Sequence, residues 1–296
     1  LFVHFRVCSR LILLYVPVAK NKMQETPITK IKPDSSWLTL DLKDLWIYRE
    51  LLYFLTWRDV KVRYKQTAIG VVWAILQPVL TTAIFTVIFT QFARFESLDV
   101  PYPLFALSGL LLWLFVNNSI SLASNSLVGN ANLVTKVYFP RLIVPVSATL
   151  AGLLDLALGF LILLGLMIYY GVGLTWQILL APVFVAQAIL LTLSFGTLFS
   201  ALNVRFRDVK FALPFALQIW LFLSPVFYPL SIFSGKRRLL FAFNPLSGIL
   251  EGFRAALFGG EFDWTLIGIS FVLTLVLMLV SIFVFKRMED DFADLI

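Results

Sequence analysis

Six long apolar stretches, at about 68-92, 103-128, 142-170, 176-202, 211-233 and 264-285, constrain this chain more than any other feature. Each is close to or beyond the ~20 residues that carry an α-helix across ~30 Å of hydrocarbon. In lipid the backbone polar groups must be satisfied within the structure, and apolar runs this long achieve that as helices rather than as strands of a barrel. Only 14% of the residues are charged, where a soluble domain carries about a quarter. The fold class expected is an all-α integral membrane protein with six transmembrane helices.

A seventh apolar stretch, 239-258, is broken by Asn244-Pro245 and Gly248 and carries Glu251 and Arg254. Those interruptions favour a re-entrant or surface-lying helical hairpin over another crossing. The single cysteine, Cys8, excludes a disulfide framework and a cysteine-built metal site, and the single histidine, His4, leaves no histidine cluster, so no metal is expected.

The net charge of +7 raises the possibility of nucleic acid, but in a membrane protein excess Lys and Arg mark cytoplasmic segments. With the amino terminus inside, 19 basic residues fall on the cytoplasmic side and five outside. Discarding the seven before position 45, which lie too far from a span to count, leaves 12 against five. Both termini are therefore expected in the cytoplasm. Lys236, Arg237 and Arg238 oppose the rule locally without reversing it. The first methionine is Met23, which makes it the expected point of initiation; a signal peptide is the competing reading, though no small-x-small cleavage site follows "LILLYVPVA".

Ahead of the first span lies "RDVKVRYK", residues 58-65. Read as a helix, it places Arg58, Lys61 and Lys65 on one stripe and Trp57, Val60 and Tyr64 on an adjacent apolar stripe, the pattern of an amphipathic helix lying in the interface. The same residues alternate apolar and basic as an edge strand would. The helix is preferred because the aromatic run "LWIYRELLYFLTW" upstream contains no Gly or Pro to stop it.

No G-x-x-x-x-G-K-[ST] phosphate loop occurs, and Gly235-Lys236 lacks the preceding glycine, so this chain is not expected to hydrolyse ATP. No nucleophile elbow or catalytic carboxylate pair is present either, and no catalytic residue is expected. Asp155 stands near the middle of the third span, where a lone carboxylate is expensive, so it should face the protein interior or a wet cavity. A proton relay is one reading; the other spans offer no central titratable partner, which favours a structural or conduit-facing role. Span two carries Asn117, Ser121, Ser124 and Asn125 on one helical face, fit either to hydrogen-bond a polar cargo or to join helices. The loop "NLVTKVYFPRLIVP" between spans two and three is expected along the inner surface, with Tyr138-Phe139 serving as an interfacial anchor or as a knob for a partner's groove.

Three ordered motifs, "RDVKVRYKQTAIGVVWAILQP", "LVTKVYFPRLIVP" and "NPLSGILEGFR", resemble the membrane permease of ABC exporters for bacterial cell-surface polysaccharides, a family that includes O-antigen, teichoic-acid and capsule permeases. The resemblance spans roughly residues 44 to 290, leaving 1-43 as an amino-terminal extension and 291-296 as a cytoplasmic tail. It implies a homodimer in the bacterial inner (plasma) membrane, joined to two copies of a separate ATP-binding subunit that holds ATP and Mg, with no cofactor on this chain. Thr135, Lys136, Val137, Tyr138, Phe139, Pro140 and Arg141 would form the segment that couples to the ATPase. The implied cargo is a glycan on an undecaprenyl-pyrophosphate or related carrier, drawn in by Arg58, Lys61, Arg63, Lys65, Arg205 and Arg207. Trp113, Asn117, Ser121, Asp155, Trp220, Phe227 and Tyr228 are candidate conduit residues, the aromatics offering flat faces to sugar rings. Asn244, Pro245, Glu251 and Arg254 mark the outer re-entrant segment between spans five and six, the last two able to pair one turn apart. An exporter of a drug or lipidic small molecule shares this plan, and a proton-driven secondary transporter is the competing class.

Overall fold

The computed structural model describes residues 46–65, 71–92, 100–233 and 236–295, and these residues are helical with no strand among them. The extension 1-43, with His4, Cys8 and Met23, lies outside the described residues, as does Gly235. In chain order the helices are α1 (Arg49–Lys65), α2 (Val71–Phe92), α3 (Tyr102–Gly129), α4 (Ala131–Lys136), α5 (Ile143–Ala151), α6 (Leu153–Tyr169), α7 (Ala181–Arg205), α8 (Val209–Leu223), α9 (Lys236–Ala242), α10 (Pro245–Phe258), α11 (Trp264–Glu289) and α12 (Phe292–Leu295). The segment containing "RDVKVRYK" is thus helix, not strand.

Among the described residues, five segments are long and apolar enough to cross a bilayer: Val72–Phe89, Tyr102–Gly129, Ile143–Tyr169, Trp176–Arg205 and Trp264–Glu289. The fifth expected span, 211-233, is a shorter helix. α8 has 15 residues, roughly 22 Å at ~1.5 Å per residue, and ends at Leu223. Ser224 precedes Pro225, which disfavours the helical conformation at Ser224, and its backbone is extended (φ -104°, ψ 144°). The stretch 239-258 resolves into α9 and α10, parted at Asn244, whose side chain caps α10 by accepting from the Leu246 amide at 3.1 Å. α10 closes on Gly259 at φ 77°, the left-handed conformation that a glycine adopts without a side-chain clash.

α3 is the axis of the structure: 78% of the residues in an apolar 18-residue stretch of it are buried, against 11% for α2 and 17% for α11. Its most extensive contacts are with α7, then with α5, α2 and α6. Small residues allow the closest approach: a side chain at Gly196 of α7 would meet the Ala123 Cβ of α3 at 2.8 Å. Polar groups then join the helices. Asn203 of α7 donates to the Ser124 carbonyl at 2.9 Å and to Asn125 Oδ1 at 3.2 Å, and Gln187 of α7 donates to Ser270 Oγ of α11 at 3.2 Å. Around α3 lies the main apolar core, with Leu104, Leu112, Ile120, Leu163, Leu191 and Phe253 among its fully enclosed members. A second core, centred on Leu55, Leu127, Phe139, Ile143, Phe285 and Phe292, joins α1 to α5, the end of α11 and the loop after α4.

Candidate functional site

α1 packs along α5 through Leu51, Leu52 and Leu55, and its last turn carries Arg63 and Tyr64 to the third spanning segment. There Arg63 forms an ion pair with Oδ2 of Asp155, and the Tyr64 hydroxyl donates to Oδ1. These three groups stand at the wall of a cavity of about 820 Å³. Trp73, Ala74, Gln77 and Pro78 of α2 line it, with Leu111, Leu114, Phe115 and Leu122 of α3 and Leu156 of α6. Asn118, Ser119 and Ser121 add polar groups from α3. Ser121 donates back to the Asn117 carbonyl at 2.8 Å and Asn117 donates to Asn118 Oδ1 at 3.1 Å. Ser119 is 0% exposed and its hydroxyl has no hydrogen-bond partner among the described residues.

The six cations of the expected diphosphate set are not equivalent in the structure. Arg58 bonds its neighbour Asp59 at 2.8 Å and Arg63 is held by Asp155. Lys61, with its ammonium 5.4 Å from the Trp57 ring centre, and Lys65 are exposed on α1. Arg205 and Arg207 are exposed at and just beyond the end of α7. Of the expected conduit residues, Ser121 and Asp155 share the cavity wall with Arg63. Trp113 and Phe227 are buried in the main core, and Trp220 packs edge-on against Trp113 at 5.8 Å. Phe227 stacks on Phe85 at 3.6 Å, and the Tyr228 hydroxyl donates to the Phe222 carbonyl at 2.9 Å.

The expected coupling segment divides cleanly. Tyr138 is 77% exposed, and Thr135, Lys136 and Val137 beside it are exposed, whereas Phe139 is 5% exposed and sits in the second core. Arg141 anchors the segment from behind: its amide donates to Glu289 Oε1 at 3.3 Å, its guanidinium donates to the Glu289 carbonyl, and its side chain lies 5.9 Å over the Phe292 ring. The end of α11 and the loop after α4 are therefore clamped together.

Arg254 organises the outer expected segment. It is 5% exposed, lies 3.6 Å above the Phe105 ring centre, and donates to the carbonyls of Pro225 at 2.7 Å, Val226 at 2.6 Å and Phe105 at 3.3 Å. Glu251 is a more distant partner at 3.5 Å. Gly109 leaves room for the guanidinium, since a Cβ there would run into it and would stand 2.7 Å from the Val226 carbonyl oxygen. Asn244 ties the same region to α8, accepting from Trp220 Nε1 at 2.9 Å and donating to Ser224 Oγ at 2.9 Å. Pro245 is buried at the first turn of α10. Sequence reasoning passed over Gln77, Asn118, Ser119 and Glu289, and placed Tyr64 only on an apolar stripe. Gln77 and Ser119 carried one available signal, a polar group within an apolar stretch.

These features define a multi-pass helical membrane protein. The chain belongs to the ABC-2 type transporter family, which it matches over residues 50–258. It is 29% identical over 257 residues to the O-antigen export system permease protein RfbA of Myxococcus xanthus, covering 86% of this chain and 98% of that protein. An O-antigen export system permease protein RfbA of Klebsiella pneumoniae is 26% identical over 83% of this chain and 95% of its own length. The polysialic acid transport protein KpsM of Escherichia coli is 24% identical over 79% of this chain and 91% of its own length.

Proposed function

We propose that this chain is the permease subunit of an ATP-driven exporter that moves lipid-linked cell-surface polysaccharide across the bacterial inner membrane. The observation that carries this reading is similarity running over 98% of an O-antigen export permease, rather than over one shared segment. Two copies would flank the cargo and join two copies of an ATP-binding subunit supplying ATP and Mg; the absence of a phosphate loop from this sequence supports that division of labour. In this reading α8 serves as the fifth of six spans, α9 and α10 form a re-entrant outer hairpin, α1 lies at the inner interface, and both termini face the cytoplasm. The exposed Tyr138 enters a groove on the ATP-binding subunit, and the Arg141 clamp passes its displacement to α11. Lys61, Lys65, Arg205 and Arg207 attract the diphosphate of the carrier lipid.

Depletion of the chain in its host, followed by quantification of lipid-linked glycan on each face of the inner membrane, tests the proposal. The expected outcome is accumulation on the cytoplasmic face with loss from the cell surface. Glycan unchanged on both faces would overturn it in favour of a smaller lipidic cargo.

A further inference from the structure

The cavity beside α1 has two features that helix packing alone does not require. One is a charged pair at the wall of a largely apolar chamber, contributed by residues 92 positions apart. The other is the buried Ser119 hydroxyl, unpartnered among the described residues, on the same wall. A volume of about 820 Å³ lies within the range of about 300 to 1,000 Å³ typical of small-molecule sites. Its apolar lining, from Trp73, Leu111, Leu114, Phe115, Leu122 and Leu156, suits hydrocarbon, while Gln77, Asn118 and Ser121 add neutral polar groups. The charged end suits an anionic headgroup: a guanidinium presents five N–H donors in a planar fork that fits carboxylate and phosphate alike. The pair with Asp155 engages Nη1 alone, so most of the fork remains available.

We propose that this cavity binds the phosphate end of a lipid phosphate, and that Asp155 is an internal stand-in for that phosphate, holding Arg63 until the ligand displaces it. Tyr64 makes the exchange feasible. Its hydroxyl donates to the other carboxylate oxygen, so Asp155 keeps a donor when Arg63 turns to the ligand. Ser119 stands in the same wall, its hydroxyl enclosed rather than open to the chamber. It lies against Gly152, where a side chain would strike its oxygen, and Gly152 is three residues before Asp155. Arg63 is thus a regulated cation, unlike the exposed Lys61 and Lys65, and the Asp155 carboxylate weakens capture in order to permit release. The identity of the lipid rests on the export reading; the exchange between carboxylate and phosphate does not.

The test measures binding of undecaprenyl phosphate to the permease assembled with its ATP-binding subunit in nanodiscs of neutral phosphatidylcholine, by native mass spectrometry. Asp155→Asn is expected to tighten binding at least fivefold, because Arg63 is released without loss of side-chain volume. Tyr64→Phe should act in the opposite sense, weakening binding by making displacement of Asp155 costlier. Arg63→Gln should weaken binding at least tenfold and abolish the gain from Asp155→Asn in the double variant. Ala74→Phe, which fills the chamber, should weaken binding of the lipid. Unchanged or weaker binding by Asp155→Asn would overturn the stand-in role, as would a gain that survives in the Arg63→Gln background. Displacement of the lipid by millimolar inorganic phosphate would overturn the lipid assignment. Competition by phosphatidylglycerol, with the same response to Asp155→Asn, would support a site for lipid phosphates in general. If this pattern fails while glycan export still depends on the chain, only the inference falls; if the pattern holds while glycan is unaffected by depletion, only the export reading falls.

Discussion

Without the Arg254 guanidinium, the carbonyls of Pro225 and Val226 would face a packed interior with no donor. Hydrogen bonds from a charged donor contribute about 1.5 to 3 kcal/mol each, and leaving buried acceptors unpaired adds their desolvation cost. Arg254→Met, which keeps most of the volume, is therefore expected to destabilise the protein by about 3 to 5 kcal/mol. Unfolding of the detergent-solubilised protein, by heat or in a denaturing detergent series, measures this. Arg254→Lys should recover less than half, because one ammonium cannot span the carbonyls of Pro225, Val226 and Phe105 as the fork does. Glu251 is 30% exposed and 3.5 Å away, so Glu251→Gln should cost under about 1 kcal/mol. The i,i+3 spacing made Glu251 the visible partner in the sequence; the carbonyls that matter more belong to a turn 28 and 29 residues upstream.

At the scale of elements, the loop after α4 separates docking from folding within two adjacent aromatics. Phe139→Ala is expected to cost about 3 to 5 kcal/mol by emptying a place in the second core. Tyr138→Ala should leave stability within about 0.5 kcal/mol of the parent while lowering cargo-stimulated ATP turnover of the assembled exporter. Unfolding and ATPase assays on the same two variants distinguish these effects. The sequence "KVYFPR" could not assign them, since both rings suit an interface and only the partners of Phe139, brought from α5, α11 and α12, decide which is buried. The spans were legible for the converse reason: an apolar run satisfies its own backbone locally, and no distant residue is needed to read it. Where a span depends on something remote, legibility failed. α8 stops ten residues before the expected 233 because a Ser-Pro step and the distant Arg254 and Asn244 organise the turn that follows. Asp155 announced itself by its cost in an apolar stretch, but its partner Arg63 lies 92 residues earlier, on a helix outside the spans.

Across the whole molecule, burial among the spanning helices is greatest on α3, and apolar exposure is concentrated on α2, α8 and α11. Leu112→Ala on α3 is expected to cost about 2 to 5 kcal/mol, and Ile84→Ala on α2, whose side chain is 59% exposed, far less. Unfolding in nanodiscs gives the comparison; equal costs would mean that a second copy covers the Ile84 face. The central position of α3 has a further consequence, for the order in which the protein is made. α3 emerges from the ribosome early, yet Asn203, which takes up the Ser124 carbonyl and the Asn125 side chain, follows 79 residues after Ser124. At about 5 to 20 residues per second, that interval is roughly 4 to 16 s. For that time the axis of the finished protein is a nascent helix whose Ser124 carbonyl and Asn125 side chain lack the amide that later donates to both. Chain elongation, rather than insertion of α3, therefore sets the earliest moment at which this bundle can close.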